Sequence, residues 1–190
     1  MKMASHNISD PEVEKLASLA TTLEPDYVTE RERSMWQGSP FYWIKGRPSR
    51  QIGAIGEVLV ERWAQSHGFD VKKPRSSDHD RQINGLKVEI KFSTLWTDNE
   101  IFKFQQLRDQ DYEYCFLLGI SPFDVQAWFV PKSALAQDRP PELVPQHGGS
   151  RGQDTKWLSF QAASPPAWLS PFGGRLTQLA DLIEQASQDR

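Results

Sequence analysis

The dipeptide Asn84-Gly85 constrains this chain more than any other feature. It lies between Asp78-His79-Asp80-Arg81-Gln82-Ile83 and Leu86-Lys87-Val88-Glu89-Ile90-Lys91. A type I′ turn needs positive φ at both central residues, which Asn and Gly tolerate, so the segment is predicted to be a hairpin with a two-residue turn. That register opposes Ile83 to Leu86, Arg81 to Val88, Asp80 to Glu89 and Asp78 to Lys91. Opposed residues project to the same side of a sheet. One face then carries Asp78, Asp80, Gln82, Lys87, Glu89 and Lys91. The other carries Ile83, Leu86, Val88 and Ile90, and is expected to make core.

Two carboxylates held face to face raise each other's pKa unless a cation lies between them. Asp80 against Glu89 therefore calls for a counterion. A hard divalent ion such as Mg²⁺ takes carboxylate oxygens and keeps several waters, which suits an open strand pair. Lys91, two residues beyond Glu89 on the same face, is placed to orient a water or to stabilise charge on a phosphate. This is equipment for hydrolysing a phosphodiester. A plainer account of the same residues is a solvated amphipathic ribbon in which Asp78 and Lys91 form a surface salt bridge of little energetic value.

An acid, a short hairpin and then Glu-x-Lys resembles the signature of the PD-(D/E)XK nucleases, here Asp80 followed by Glu89-Ile90-Lys91. His79 stands where the namesake pattern has proline. Upstream, Ser49-Arg50-Gln51-Ile52-Gly53-Ala54-Ile55-Gly56-Glu57 resembles the opening helix of that family, whose glutamate completes the acidic cluster; the resemblance gives Glu57 that role. Downstream, Lys103-Phe104-Gln105-Gln106-Leu107-Arg108-Asp109-Gln110-Asp111-Tyr112 and Gly119-Ile120-Ser121-Pro122 are similar to segments of bacterial type II restriction endonucleases. The likeness runs over positions 36–132.

Along the rest of the chain, Ser9-Asp10-Pro11-Glu12 is predicted to open a helix continued by Val13, Leu16 and Leu19. Residues 29–48 look irregular and aromatic, with Trp36, Phe41, Tyr42 and Trp43. From Ser49 to about Ser66, Ile52, Ile55, Leu59 and Trp63 recur at helical spacing, with Glu57 just past the edge of that stripe and Glu61 farther round. His67-Gly68 ends this helix, and residues 69–73 are expected to form a strand leading to the hairpin. Gln105 and Gln106 read as a short polar segment. Strands are predicted over 112–118 and 125–130, a helix from Pro131, a surface loop over 137–155, a strand over 157–160 and an amphipathic helix over 172–187 carrying Leu176, Leu179, Leu182 and Ile183. Strands mixed with helices argue for an α/β domain with a mixed central β-sheet flanked by helices. The family likeness makes that a restriction-endonuclease-like core.

With 190 residues the chain is one domain by length. Residues 1–48 would form an N-terminal helix and aromatic loop, 49–136 the catalytic core, and 137–190 a loop with a C-terminal strand and helix. Cys115 is the single cysteine and lies in an apolar run, so it is expected to be a buried strand residue without a disulfide. No signal-peptide core or membrane-length apolar run is present, which makes a cytoplasmic location the expectation. The net charge of -3 does not supply the basic footprint that phosphate binding favours. Acids gathered around a metal subtract from that total, and Lys45, Arg47, Arg50, Lys72, Lys73 and Arg75 flank the hairpin in sequence as candidates for a local basic stripe.

His6, His67, His79 and His147 show no metal-ligand spacing. His147-Gly148-Gly149-Ser150-Arg151-Gly152 lacks the lysine and following apolar helix of a P-loop. The resemblance implies a Mg²⁺-dependent endonuclease acting on double-stranded DNA, with Mn²⁺ as a substitute and a homodimer as a common arrangement. Asp80, Glu89 and Glu57 would hold the metal, and Lys91 would position the attacking water. The alternatives are a cleavage subunit or repair or junction nuclease without its own sequence recognition, or a non-catalytic DNA-binding module. An intact Asp80, Glu89 and Lys91 set speaks against the last of these.

Overall fold

The Asn84-Gly85 turn forms as its sequence dictates. Both residues take positive φ, 49° and 83°, and the flanking strands pair Ile83 with Leu86, Gln82 with Lys87 and Arg81 with Val88. Asn84 also closes the turn onto the chain before the hairpin, through its backbone N–H to the Asp70 carbonyl and its side-chain oxygen to the Asp70 N–H. These details come from a computed structural model that describes residues 19, 22, 30–75, 78–135, 142–145 and 155–189. The chain divides into two compact units, Met1–Gln37 and Gly38–Arg190. In the first, helix α1 spans Glu30–Trp36. The helix predicted from Ser9 lies outside the described residues apart from Leu19 and Thr22, which are helical.

In the second unit, helix α2 (Tyr42–Lys45) and helix α3 (Ser49–Ser66) precede strand β1 (Val71–Lys72), β2 (Arg81–Ile83) and β3 (Leu86–Thr94). Strands β4 (Ile101–Arg108), β5 (Tyr114–Ile120), β6 (Val125–Pro131), β7 (Leu143–Pro145) and β8 (Thr155–Gln161) follow, and helix α4 (Leu179–Gln188) comes last. One sheet has the order β1-β2-β3-β5-β6; β3 and β5 are parallel and the other neighbours antiparallel, so the sheet is mixed. The second sheet, β4-β8-β7, is antiparallel throughout.

Helix α3 covers one face of the larger sheet. Its fully buried residues are Gly56, Val60 and Ala64, spaced one turn apart. Glycine at 56 is a packing requirement, because a Cβ there would lie 2.3 Å from Cβ of Phe92. The buried stripe therefore centres on these small residues. Ile52, Ile55, Leu59 and Trp63, predicted as its centre, flank it half-buried. Trp63 contacts Phe69 and Phe116 edge-on.

The opposite face is covered by the second sheet, which the sequence pattern did not disclose. A Cβ at Gly119 of β5 would meet the Phe102 ring at 2.8 Å, and Phe102, Phe104, Phe160 and Trp128 pack ring against ring. Sequence alternation failed at β4 because the strand is bulged. Between Phe104 and Leu107 the register against β8 shifts, and Gln106 takes φ 57°. Gln105 and Gln106 thus belong to a strand, not to a polar connection.

Other predicted elements shift as well. Residues 29–48 hold two short helices, in which Tyr42 and Trp43 stay exposed while Ile44 is buried. The predicted strand over 69–73 shortens to Val71–Lys72, and the helix expected from Pro131 is a 3-10 turn over Lys132–Ala134. Strand β7 occupies part of the predicted loop over 137–155. Helix α4 starts only at Leu179, after 3-10 turns at Ala167–Phe172 and Leu176–Gln178, and packs on β6. Among the described residues no helix is long and apolar enough to cross a membrane.

Candidate active site

The predicted acids and lysine gather where the hairpin opens. Strand β3 runs nine residues, but β2 pairs only with its first part, ending at Arg81 opposite Val88. Beyond that point no described strand pairs with β3 on the β2 side, which leaves an open edge among the described residues. Asp80, predicted to oppose Glu89 across the ladder, has left it. Its backbone N–H donates to the Val88 carbonyl at 3.1 Å and its Oδ2 accepts the Ile90 N–H at 2.8 Å. The carboxylate competes for a backbone donor and wins, which ends strand pairing and turns the side chain into the plane of the sheet edge.

Glu89 and Lys91 project from β3 on the face opposite to Phe92. Glu89 is nearly closed to solvent, and Lys91 Nζ lies 2.6 Å from its Oε1. The predicted partner of Lys91 was Asp78; that residue is exposed and outside any strand, and Glu89 takes the lysine instead. Cys115 is buried beside Glu89 in the ladder, and burial pushes its thiol up, so it packs without ionising.

Glu57 reaches the same edge from helix α3 on the other face. Its Oε2 accepts from Arg81 Nη1 at 3.2 Å, Glu61 Oε2 accepts from Arg81 Nε at 2.7 Å, and Arg81 Nη1 also donates to the Asp80 carbonyl at 2.6 Å. Arg81 is buried. Sequence reasoning did not single out Arg81 and set Glu61 behind Glu57 as a site residue, yet a signal for both existed. The hairpin register sets Arg81 beside Val88 on the core face, where a buried guanidinium needs carboxylate partners. Helix residues four apart share a face, so Glu57 and Glu61 can supply them together.

Burial, more than anything else, raises the pKa of Glu57, and repulsion from Asp80 adds to it against the opposing pull of Arg81 and Lys91. Burial likewise raises Glu89, with Asp80 and Glu57 adding repulsion and Lys91 offsetting part of it. Glu57, Asp80, Glu89 and Lys91 thus share one electrostatic field. With all four acids ionised, Glu57, Glu61, Asp80 and Glu89 outnumber Arg81 and Lys91 by two charges, which is the charge of one divalent cation.

The donor set is all carboxylate, the hard-oxygen chemistry of Mg²⁺ rather than that of zinc. Among the described residues, however, no three acid, His or Cys side chains converge as a metal cage. Glu57 is drawn to Arg81 and Glu89 to Lys91. Mg²⁺ is commonly held by one or two carboxylates with water completing its shell. Asp80 and Glu89 have the oxygen chemistry for that requirement, with Glu89 shared with Lys91, and Glu57 could add to it on leaving Arg81.

Elsewhere, His79 is buried and neither ring nitrogen has a hydrogen-bond partner among the described residues. His67 bonds through Nδ1 to the Trp63 carbonyl at the end of α3. His6, His147 and the glycine-rich stretch after His147 lie outside the described residues. Of the candidate basic stripe, Lys72 pairs with Asp70, Lys45 donates to the Leu95 carbonyl and Arg47 to the Trp43 carbonyl.

No protein-family model matches the chain, and no curated protein matches it in sequence. Among solved structures it is similar to a bacterial homing endonuclease, I-Ssp6803I, at 14% identity. The alignment covers 76% of this chain and 100% of that one, with a TM-score of 0.46.

Proposed function

We propose that this protein is a divalent-metal-dependent endonuclease that hydrolyses phosphodiester bonds in double-stranded DNA, of the type II restriction class. The observation that carries the proposal is the gathering of Glu57, Asp80, Glu89 and Lys91 at the open edge of β3 with two negative charges in excess. Asp80 and Glu89 would hold Mg²⁺ or Mn²⁺, with Glu57 joining directly or through water. When bound, the ion supplies positive charge beside the scissile phosphate and lowers the pKa of water.

The chain's own groups do the rest. Asp80 is fixed by the Ile90 N–H, so its carboxylate would spend little rotamer freedom on binding an ion. Lys91, half-buried beside Glu89, orients the attacking water and stabilises charge that builds on the phosphate. Burial of Glu89 keeps the local dielectric low, which strengthens both effects. Two copies of the chain acting on a palindrome would suit the restriction class.

The test is digestion of supercoiled plasmid by purified protein. Cutting is expected with Mg²⁺ or Mn²⁺ and lost in chelator; robust cutting in chelator refutes the mechanism. Lys91→Ala is expected to reduce turnover by more than about a hundredfold while DNA affinity stays within about tenfold. A variant that keeps its cleavage rate per folded molecule would make Lys91 only the ion-pair partner of Glu89.

A further inference from the structure

Arg81 is an obstacle to the metal site as much as a support for it. Its guanidinium holds the Glu57 carboxylate at 3.2 Å, on the side of the sheet away from Glu89 and Lys91. A metal ion that recruits Glu57 has to take it from a buried cation. Leaving that cation unpaired would be costly, since stripping one partner from a buried ion pair exposes the full desolvation penalty of the other. Glu61 removes this difficulty. It grips Arg81 at 2.7 Å through a different nitrogen, and the Asp80 carbonyl takes a third bond at 2.6 Å. Arg81 therefore stays neutralised and hydrogen-bonded when Glu57 departs.

We infer that Arg81 and Glu61 are positioning residues, with Glu61 holding Arg81 neutral so that Glu57 can exchange between the guanidinium and a divalent cation at Asp80 and Glu89. This rests on the metal-dependent reading above and extends it to two residues outside the Glu-x-Lys pattern. Arg81 has a second task in the same arrangement. By bonding the Asp80 carbonyl while its own backbone pairs with Val88, it fixes the peptide from which the Asp80 side chain reaches Ile90. Without Glu61, Arg81 would have Glu57 as its sole carboxylate among these contacts. Competition for Glu57 would then favour the guanidinium over the metal.

The experiment measures Mn²⁺ affinity by titration calorimetry on the whole protein without DNA, for wild type, Glu61→Gln, Glu57→Gln and the double variant. Gln at 61 keeps the shape and an acceptor for Arg81, and folding is checked by melting in chelator. Glu61→Gln is expected to weaken Mn²⁺ binding about tenfold, the range seen when groups behind metal ligands are altered. In cleavage assays the loss should fall on the Mg²⁺ concentration for half-maximal rate rather than on the maximal rate. In the Glu57→Gln background, Glu61→Gln is expected to change Mn²⁺ affinity no further, because Arg81 then has no claim on a ligand.

Equal losses in both backgrounds would overturn the inference, as would a Glu61→Gln protein that binds Mn²⁺ like wild type. Should Glu61→Gln melt below the assay temperature, Glu57→Gln decides alone: unchanged Mn²⁺ affinity would mean that Glu57 never reaches the ion. A wild-type protein that neither binds Mn²⁺ nor cleaves DNA would sink the functional reading itself. Wild-type binding and cleavage with an indifferent Glu61→Gln would sink only the exchange.

Discussion

One face of the larger sheet ends in two different ways. Toward the C-terminal end of β3, where Ser93 pairs with Gly119, the second sheet closes over it with Phe102, Phe104, Phe160 and Trp128 in edge-on and tilted ring contacts. Earlier along the same strand, where Glu89 pairs with Cys115, the face carries an ion pair beside the edge where β2 has ended. The aromatic end buries apolar area and leaves no charge behind. The acidic end buries the Glu89 carboxylate, whose pKa burial has raised, a standing cost that apolar packing could have avoided. Under the proposed function that cost is kept for chemistry, since perturbed carboxylates concentrate at functional sites.

If the two ends have these separate tasks, substitutions should divide them. The largest expected effect is on cleavage. Asp80→Asn and Glu89→Gln should each abolish it while leaving the aromatic end intact, because both keep side-chain shape and remove a ligand charge. Asp78→Asn, exposed and outside the ladder, should be mild. Plasmid cleavage read beside near-ultraviolet circular dichroism checks this. An essential Asp78 with a dispensable Asp80 would break the comparison at its acidic end.

Phe104→Ala should act in the opposite sense. Phe104 is fully buried among Phe102, Trp128 and Phe160, so truncation is expected to cost about 3–5 kcal/mol in denaturant unfolding. The cleavage rate per folded molecule should stay near wild type. A rate that falls in step with stability would show that the two ends are coupled.

The smallest effect concerns pH. The pKa values of Glu57 and Glu89 lie above 4.5 in the folded protein, so folding takes up protons there. Their contribution to stability is present below 4.5 and is lost as pH rises through the raised values. Melting temperature in chelator should therefore fall across that window more steeply for wild type than for Glu89→Gln, and Mg²⁺ should flatten the difference. Asp109 and Asp111, lowered mainly by hydrogen bonds from Lys132 and Lys87, act only below 3.8 and leave the window clear. Identical slopes with and without Glu89 would remove the case for a strained acid.

The sequence by itself determined what depends on neighbours in the chain. Asn84-Gly85 set the turn because only such residues take positive φ readily, and the two-residue period of a strand then placed Arg81 beside Val88 and Glu89 on the same face as Lys91. Helix α3 was legible over Ser49–Ser66 from its apolar spacing. Tertiary structure decided what depends on competition between distant groups. Asp80 left the ladder because a backbone N–H of β3 was free to receive its carboxylate, an outcome that no pattern of residue types encodes. Gly56 against Phe92 rotated α3 so that Glu57 and Glu61 both reach Arg81. Strand β4 escaped notice because a bulge breaks the alternation by which strands are recognised, and only its pairing with β8 and the aromatic layer beneath it make Gln105 and Gln106 strand residues.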